Sequence, residues 1–89
     1  KYKTPQPVIG KRKYKKYLEE NLIRPNDESC KDVKGEVVLS FFVDKEGRPQ
    51  NITVVHGLCE SADKEAIRLV KEGPKWTPGD LPTRVTVEF

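Results

Sequence analysis

The stretch Gly35–Val55, GEVVLSFFVDKEGRPQNITVV, constrains this chain more than any other. Two β-branched and aromatic runs flank a polar turn, DKEGRP, whose Gly47 supplies the positive φ that a three- to five-residue hairpin loop needs. The first run carries apolar residues on both faces. Val37, Leu39, Phe41 and Val43 point one way, and Val38 and Phe42 point the other. A small antiparallel sheet usually covers one face and wets the other. This strand is therefore expected at the centre of a sheet, and its second face is either partly exposed or used.

The flanks of the hairpin read as two helices and a third strand. Tyr14, Tyr17, Leu18 and Leu22 recur at three- and four-residue spacing, which predicts a helix over Lys11–Leu22 that Pro25 terminates. Residues 26–34, NDESCKDVK, are polar and irregular. Strand one is expected over Gly35–Asp44 and strand two over Gln50–His56, with Ile52 and Val54 on one face. Ala62, Ala66, Leu69 and Val70 line one face of a second helix over Glu60–Glu72, with Ser61 as its expected N-cap and Gly73-Pro74 closing it. A loop with Trp76, Pro78 and Gly79 leads to a last strand, Thr83–Phe89. There Val85, Val87 and Phe89 alternate with Arg84, Thr86 and Glu88. Pro5 and Pro7 keep residues 1–9, KYKTPQPVI, extended, as the end of a linker before a domain over residues 10–89.

The order α-β-β-α-β limits the topology. The second helix returns the chain to the end where strand two began, so strand three runs parallel to strand two. In an antiparallel sheet it must lie beside strand one, through a right-handed crossover. The expected fold class is α+β, a three-stranded antiparallel sheet of order 2-1-3. Both helices should cover the Val37/Leu39/Phe41/Val43 face, with Trp76 plugging one end. Strand three is then a short open edge, a ready site for strand addition by a peptide.

At 89 residues, 35% of them apolar and 35% charged, the chain is one globular domain with a modest core. No apolar run approaches the roughly 18 residues of a membrane span. The chain opens on Lys1 without a signal-peptide pattern, so targeting segments are expected upstream. The net charge of +3 conceals an asymmetry: seven of the 17 basic residues and none of the 14 acidic ones fall in residues 1–17. This basic arm could meet phosphates, a membrane surface or an acidic partner, or be a solvated helix face.

Catalytic signals are weak. Ser29, Ser40 and Ser61 have no nucleophile-elbow context, and the single histidine has no triad partner, so the chain is read as non-enzymatic and without a cofactor. His56 and Cys59 lie three residues apart, and Cys30 could approach them. With no CxxC pattern and no evident fourth ligand, metal binding is not expected. The hairpin brings Cys59 close to residues 33–34 across the sheet, which favours a Cys30–Cys59 disulfide over two free thiols. Tyr2, Tyr14 and Tyr17 interleave the basic arm. However, no RNA-binding sheet signature or recognition helix accompanies them, so a nucleic-acid partner is not expected.

Taken together, these segments resemble the C-terminal domain of TonB-type energy transducers. The resemblance covers nearly the whole chain. It runs from PQPVIG and YLEENLIRP through GEVVLSFFVDKEGRPQNITVVHG and DKEAIRLVKEGPKW to WTPG and VTVEF, in order and at the family's spacing. The chain departs from the family pattern at Arg24, where a tyrosine is usual, at Gly10, where a glycine pair is usual, and in its two cysteines.

The resemblance implies a periplasmic domain of a protein anchored in the inner membrane by an upstream segment. It implies binding of the Ton-box segment of an outer-membrane transporter as a strand beside the last strand, with force supplied by an inner-membrane motor complex. On this sequence the partner-binding residues would be Arg84, Val85, Thr86, Val87, Glu88 and Phe89, with Leu22, Ile23, Arg24, Pro25 and Asn26 near the transporter. A periplasmic location also favours the disulfide. Similar domains occur on signalling proteins and lipoproteins, so the alternative is a structural or sensory domain that associates with itself as a homodimer through the same sheet.

Overall fold

A computed structural model describes residues 2–25, 28, 30, 32 and 34–89. The elements follow in the expected order: α1 (Lys11–Asn21), β1 (Glu36–Val43), β2 (Pro49–His56), α2 (Glu60–Glu72) and β3 (Thr83–Glu88). The sheet is antiparallel with the order β2-β1-β3, so β1 is central and β3 is an edge. Val37, Leu39, Phe41 and Val43 are buried, and their intervening neighbours are not, which leaves one face of β1 to the core.

Above that face lie Tyr14 and Leu18 of α1 and Ala62, Ala66, Leu69 and Val70 of α2. Tyr17 Oη donates to the carbonyl of Leu69 at 2.7 Å and fastens α1 to α2. Trp76 stands at one end of the core. Its indole meets Phe41 edge-on at 5.0 Å and Tyr14 edge-on at 5.0 Å, both favoured aromatic geometries.

The turn is built by Asp44 as well as Gly47. Asp44 Oδ1 accepts from the backbone N–H groups of Glu46 and Arg48, both at 2.9 Å, and Oδ2 accepts from Gln50 Nε2 at 3.0 Å. The Arg48 N–H is the chief reason the Asp44 carboxyl sits below the ordinary aspartate range. Gly47 has φ 82, as its turn position requires.

Strand ends differ from the sequence expectation by one residue, and two helix caps differ in kind. Leu22 is the C-cap of α1 rather than its last residue, because its backbone is extended and Glu65 Oε2 of α2 captures the next N–H, that of Ile23, at 2.8 Å. The cap of α2 is Cys59, not Ser61, which lies inside the first turn; Asp63 Oδ1 reaches back to the N–H of Leu58 at 3.0 Å. The N-cap role passes to a residue held in place by a covalent bond. Cys30 and Cys59 form a disulfide with a Cα–Cα distance of 6.0 Å, which ties the segment between α1 and β1 to the start of α2.

β2 carries two irregularities that the sequence pattern did not reveal. Its pairing with β1 shifts between Val38 and Leu39 and again between Ser40 and Phe42, and Asn51 adopts φ 52. Each shift places an extra residue on β2, which keeps Ile52 and Val54 on the core side and leaves Val55 exposed.

Residues 2–7 are extended, as the two prolines predict, whereas Val8 and Ile9 depart from that expectation: they form a turn closed by the Gly10 N–H donating to Pro7 O at 3.0 Å, and the whole segment is docked. The Thr77 N–H donates to Gln6 O at 2.7 Å, the Gln6 N–H to Thr77 Oγ1 at 3.0 Å, and the Val8 N–H to Lys75 O at 3.0 Å. Pro5 and Pro7, two residues apart in extended chain, turn their rings to the same side and are both buried.

Candidate partner-binding edge

The sheet has two edges, and they are not equivalent. Along β2 the bulges twist the strand and Pro49 opens it, features that blunt an edge against pairing. Along β3 the pairing with β1 runs from Phe41–Thr83 to Glu36–Glu88 without a shift.

Register decides which backbone groups of β3 are free. The Phe89 N–H donates to Gly35 O at 2.9 Å, which makes that pair hydrogen-bonded. In an antiparallel ladder, hydrogen-bonded pairs alternate with pairs whose N–H and C=O point away. Thr83, Val85 and Val87 therefore bond to β1, and the N–H and C=O groups of Arg84, Thr86 and Glu88 point outward. Among the described residues, none of these three makes a backbone hydrogen bond to another element. The side chains of the same three residues are exposed on the uncovered sheet face, whereas Val87 is buried and Val85 and Phe89 pack against the core. This edge thus offers three outward-facing residues, a full set of donors and acceptors for a short added strand.

The edge does not stand in open solvent. A groove of about 480 Å³ runs beside it, bounded on one side by residues 83–88. The opposite wall is Thr4–Pro7 and the Lys11, Lys15 and Glu19 face of α1, and Tyr14 and Trp76 form its base. The Tyr14 hydroxyl and the Trp76 indole N–H are buried there, and neither meets the geometry of a hydrogen bond, although the indole lies near enough to favour the tyrosinate slightly. Burial dominates and pushes the Tyr14 phenol up to about 12.

The other predicted contact region lies elsewhere. Leu22 packs against the core, while Ile23, Arg24 and Pro25 border a separate shallow concavity with Ser61, Lys64, Glu65 and Arg68. Glu65 is its centre. It accepts from Ile23 N–H and is gripped by Arg68 at 2.6 Å, and the guanidinium hydrogen bond is the main cause of its lowered pKa. The β3 edge and residues 22–25 are therefore not joined in one groove. Asn26 lies outside the described residues.

The uncovered face of the sheet remains open at Phe42 and Val55, each 48% exposed. Neither Cys30 nor Cys59 is a free thiolate, so neither could join His56 in holding a metal. Tyr14 and Tyr17 of the basic helix face the core and α2, which leaves Tyr2 as the exposed tyrosine of that arm. Sequence reasoning missed the groove wall. The local signal for Thr4–Pro7 was the Pro-x-Pro spacing, and nothing local shows what such a segment packs against.

A two-helix, three-stranded domain with a regular open edge beside a groove defines an α+β scaffold suited to peptide capture. The chain belongs to the Gram-negative bacterial TonB protein C-terminal family, whose model matches residues 24–89. Among solved structures it is similar to the solution structure of the TonB C-terminal domain of Helicobacter pylori, residues 194–285 of that protein. The TM-score is 0.66 at 18% identity, over 88% of this chain and 89% of that one. None of the curated proteins matches the chain in sequence.

Proposed function

We propose that this chain is the periplasmic domain of a TonB-type energy transducer and captures the Ton-box segment of an outer-membrane transporter as a fourth strand beside β3. It is non-catalytic in this role. An upstream segment anchors the protein in the inner membrane and engages the motor complex. The observation that carries the reading is the unshifted β3 edge, with the backbone groups of Arg84, Thr86 and Glu88 turned toward a groove. Family membership supports the same role.

The test is a titration of isotope-labelled domain with Ton-box peptides, followed by amide shifts, alongside two proline variants. Thr86→Pro removes an outward N–H and leaves the ladder to β1 intact, which edge strands tolerate. It should stay folded and weaken peptide binding roughly tenfold, the equivalent of one backbone hydrogen bond. Val87→Pro removes a donor to β1 and should damage the fold itself. Undiminished affinity in a folded Thr86→Pro domain would sink the strand-addition reading. If the peptides are silent and sedimentation shows a concentration-dependent dimer, the self-associating alternative replaces it.

A further inference from the structure

We infer that the groove beside β3 is electrostatically polarised and selects an extended segment carrying an acidic residue about four positions from a basic one. Turned to the helix side, the acidic residue meets Lys11 and Lys15 and the basic one Glu19; turned to the sheet face, they meet Arg84 and Glu88. The inference rests on the strand-addition reading and names the chemistry of the segment that β3 takes.

Both walls of the groove change sign in the same direction. α1 runs antiparallel to α2, since Tyr17 bonds Leu69, Asn21 O accepts from Arg68 and Ile23 bonds Glu65. α2 starts beside Gly35, which touches Leu58, and Gly35 also accepts from Phe89 at the end of β3. α1 and β3 therefore run the same way along the groove. On α1, Lys11 and Lys15 precede Glu19, and the eight steps from Lys11 to Glu19 span about 12 Å at ~1.5 Å each. On β3, Arg84 precedes Glu88, and the four steps between them span about 13 Å at ~3.3 Å each. The two sign changes thus occur over the same length.

These charges are not neutralised internally. Ion pairs elsewhere in the domain join Lys16 to Glu20, Arg48 to Glu46, Lys64 to Glu60, and Arg68 to Glu65 and Glu72. Among the described residues, none of the five groove charges has an ion-pair partner. Glu88 also lies directly across from Glu36 on the exposed face. Two like charges in such a cross-strand pair repel, and an incoming cation would relieve them.

In an added strand, positions four apart share a face about 13 Å apart. An acidic side chain near the Thr83 end meets Lys11 and Lys15 if it turns to the helix side and Arg84 if it turns to the sheet face. The preference therefore survives a one-residue slip.

The test uses seven-residue peptides with the frame Thr-X-Val-Thr-Val-Z-Thr, in which X and Z are Glu and Lys, two Glu, two Lys or two Gln. The Glu/Lys peptide should bind the labelled domain ~3–10-fold more tightly than the Gln/Gln peptide at low salt. That advantage should vanish at about 0.5 M salt. A nitroxide at its acidic end should broaden the amides of Thr83 and Arg84 more than those of Glu88 and Phe89. In the double variant Lys15→Glu, Glu19→Lys, which leaves net charge unchanged, the advantage should shrink. Equal binding of all four peptides, or broadening at the Glu88 end, overturns the polarity and leaves strand addition standing. Silence from all four in a folded sample overturns both.

Discussion

Opening the Cys30–Cys59 bridge should cost this domain much of its stability. The bridge closes a loop with a sequence separation of 29, spanning all of the β-hairpin. In the chain-entropy model a loop of that size removes about 12 cal/mol/K from the unfolded ensemble, or about 3.6 kcal/mol at 25 °C. The native state adds to this effect. Cys30 is 1% exposed and Cys59 caps α2, so the bridge is also the anchor of the segment between α1 and β1.

Against the roughly 5–15 kcal/mol of a typical domain, the loss is large. For a domain this size it corresponds to a fall in Tm of roughly 15–30 °C. The assay is urea unfolding and a thermal scan of oxidised and reduced protein, repeated on the Cys30→Ala, Cys59→Ala double variant. The urea m-value should rise when the bridge opens, because the unfolded chain exposes more surface. A loss below about 1 kcal/mol with an unchanged m-value would refute the reasoning, since it would mean that the unfolded chain stays compact without the bridge.

The two helix tyrosines should behave oppositely. Tyr17→Phe forfeits the hydrogen bond to Leu69 O and should cost about 1 kcal/mol, whereas Tyr14→Phe removes a buried hydroxyl without a partner and should be neutral or stabilising in the same urea assay. Gly47→Ala should cost about 2–3 kcal/mol. Its Cβ would sit 2.5 Å from Trp76 O, beside the hydrogen bond from Trp76 N–H to Gly47 O, and φ 82 is itself strained for alanine. Gly10→Ala has open space around it, but φ 93 with ψ 156 is a region essentially reserved for glycine, so the strain alone should cost about 1–3 kcal/mol. The folded pKa values of Glu65 and Asp44 are depressed, so their contributions are present above the unfolded carboxylate range and lost as pH falls through the folded values. Acid titration of stability should therefore fall below about pH 4 and be shallower in Glu65→Gln.

What the sequence determined by itself was everything that depends on periodicity and on chain direction. The alternation in β1 and β3 and the three- and four-residue spacing in both helices are local, and they place the core residues. Chain direction through an α-β-β-α-β order then leaves one antiparallel arrangement, with β3 as an open edge. The cysteine pairing was legible for a similar reason, since the hairpin register returns Cys59 toward the start of β1.

What only the tertiary structure decided depends on contacts between distant segments. The bulges of β2 disqualify one edge and spare the other, yet PQNITVVH reads as a plain strand because a bulge changes pairing and not composition. The docking of Thr4–Pro7 on Lys75–Thr77 turned an apparent linker into a groove wall through hydrogen bonds about 70 residues long-range, which no local pattern encodes. The parting of Ile23–Pro25 from the β3 groove is of the same kind. Glu65 takes the Ile23 N–H and draws that segment onto α2, a choice made by one carboxylate 42 residues away.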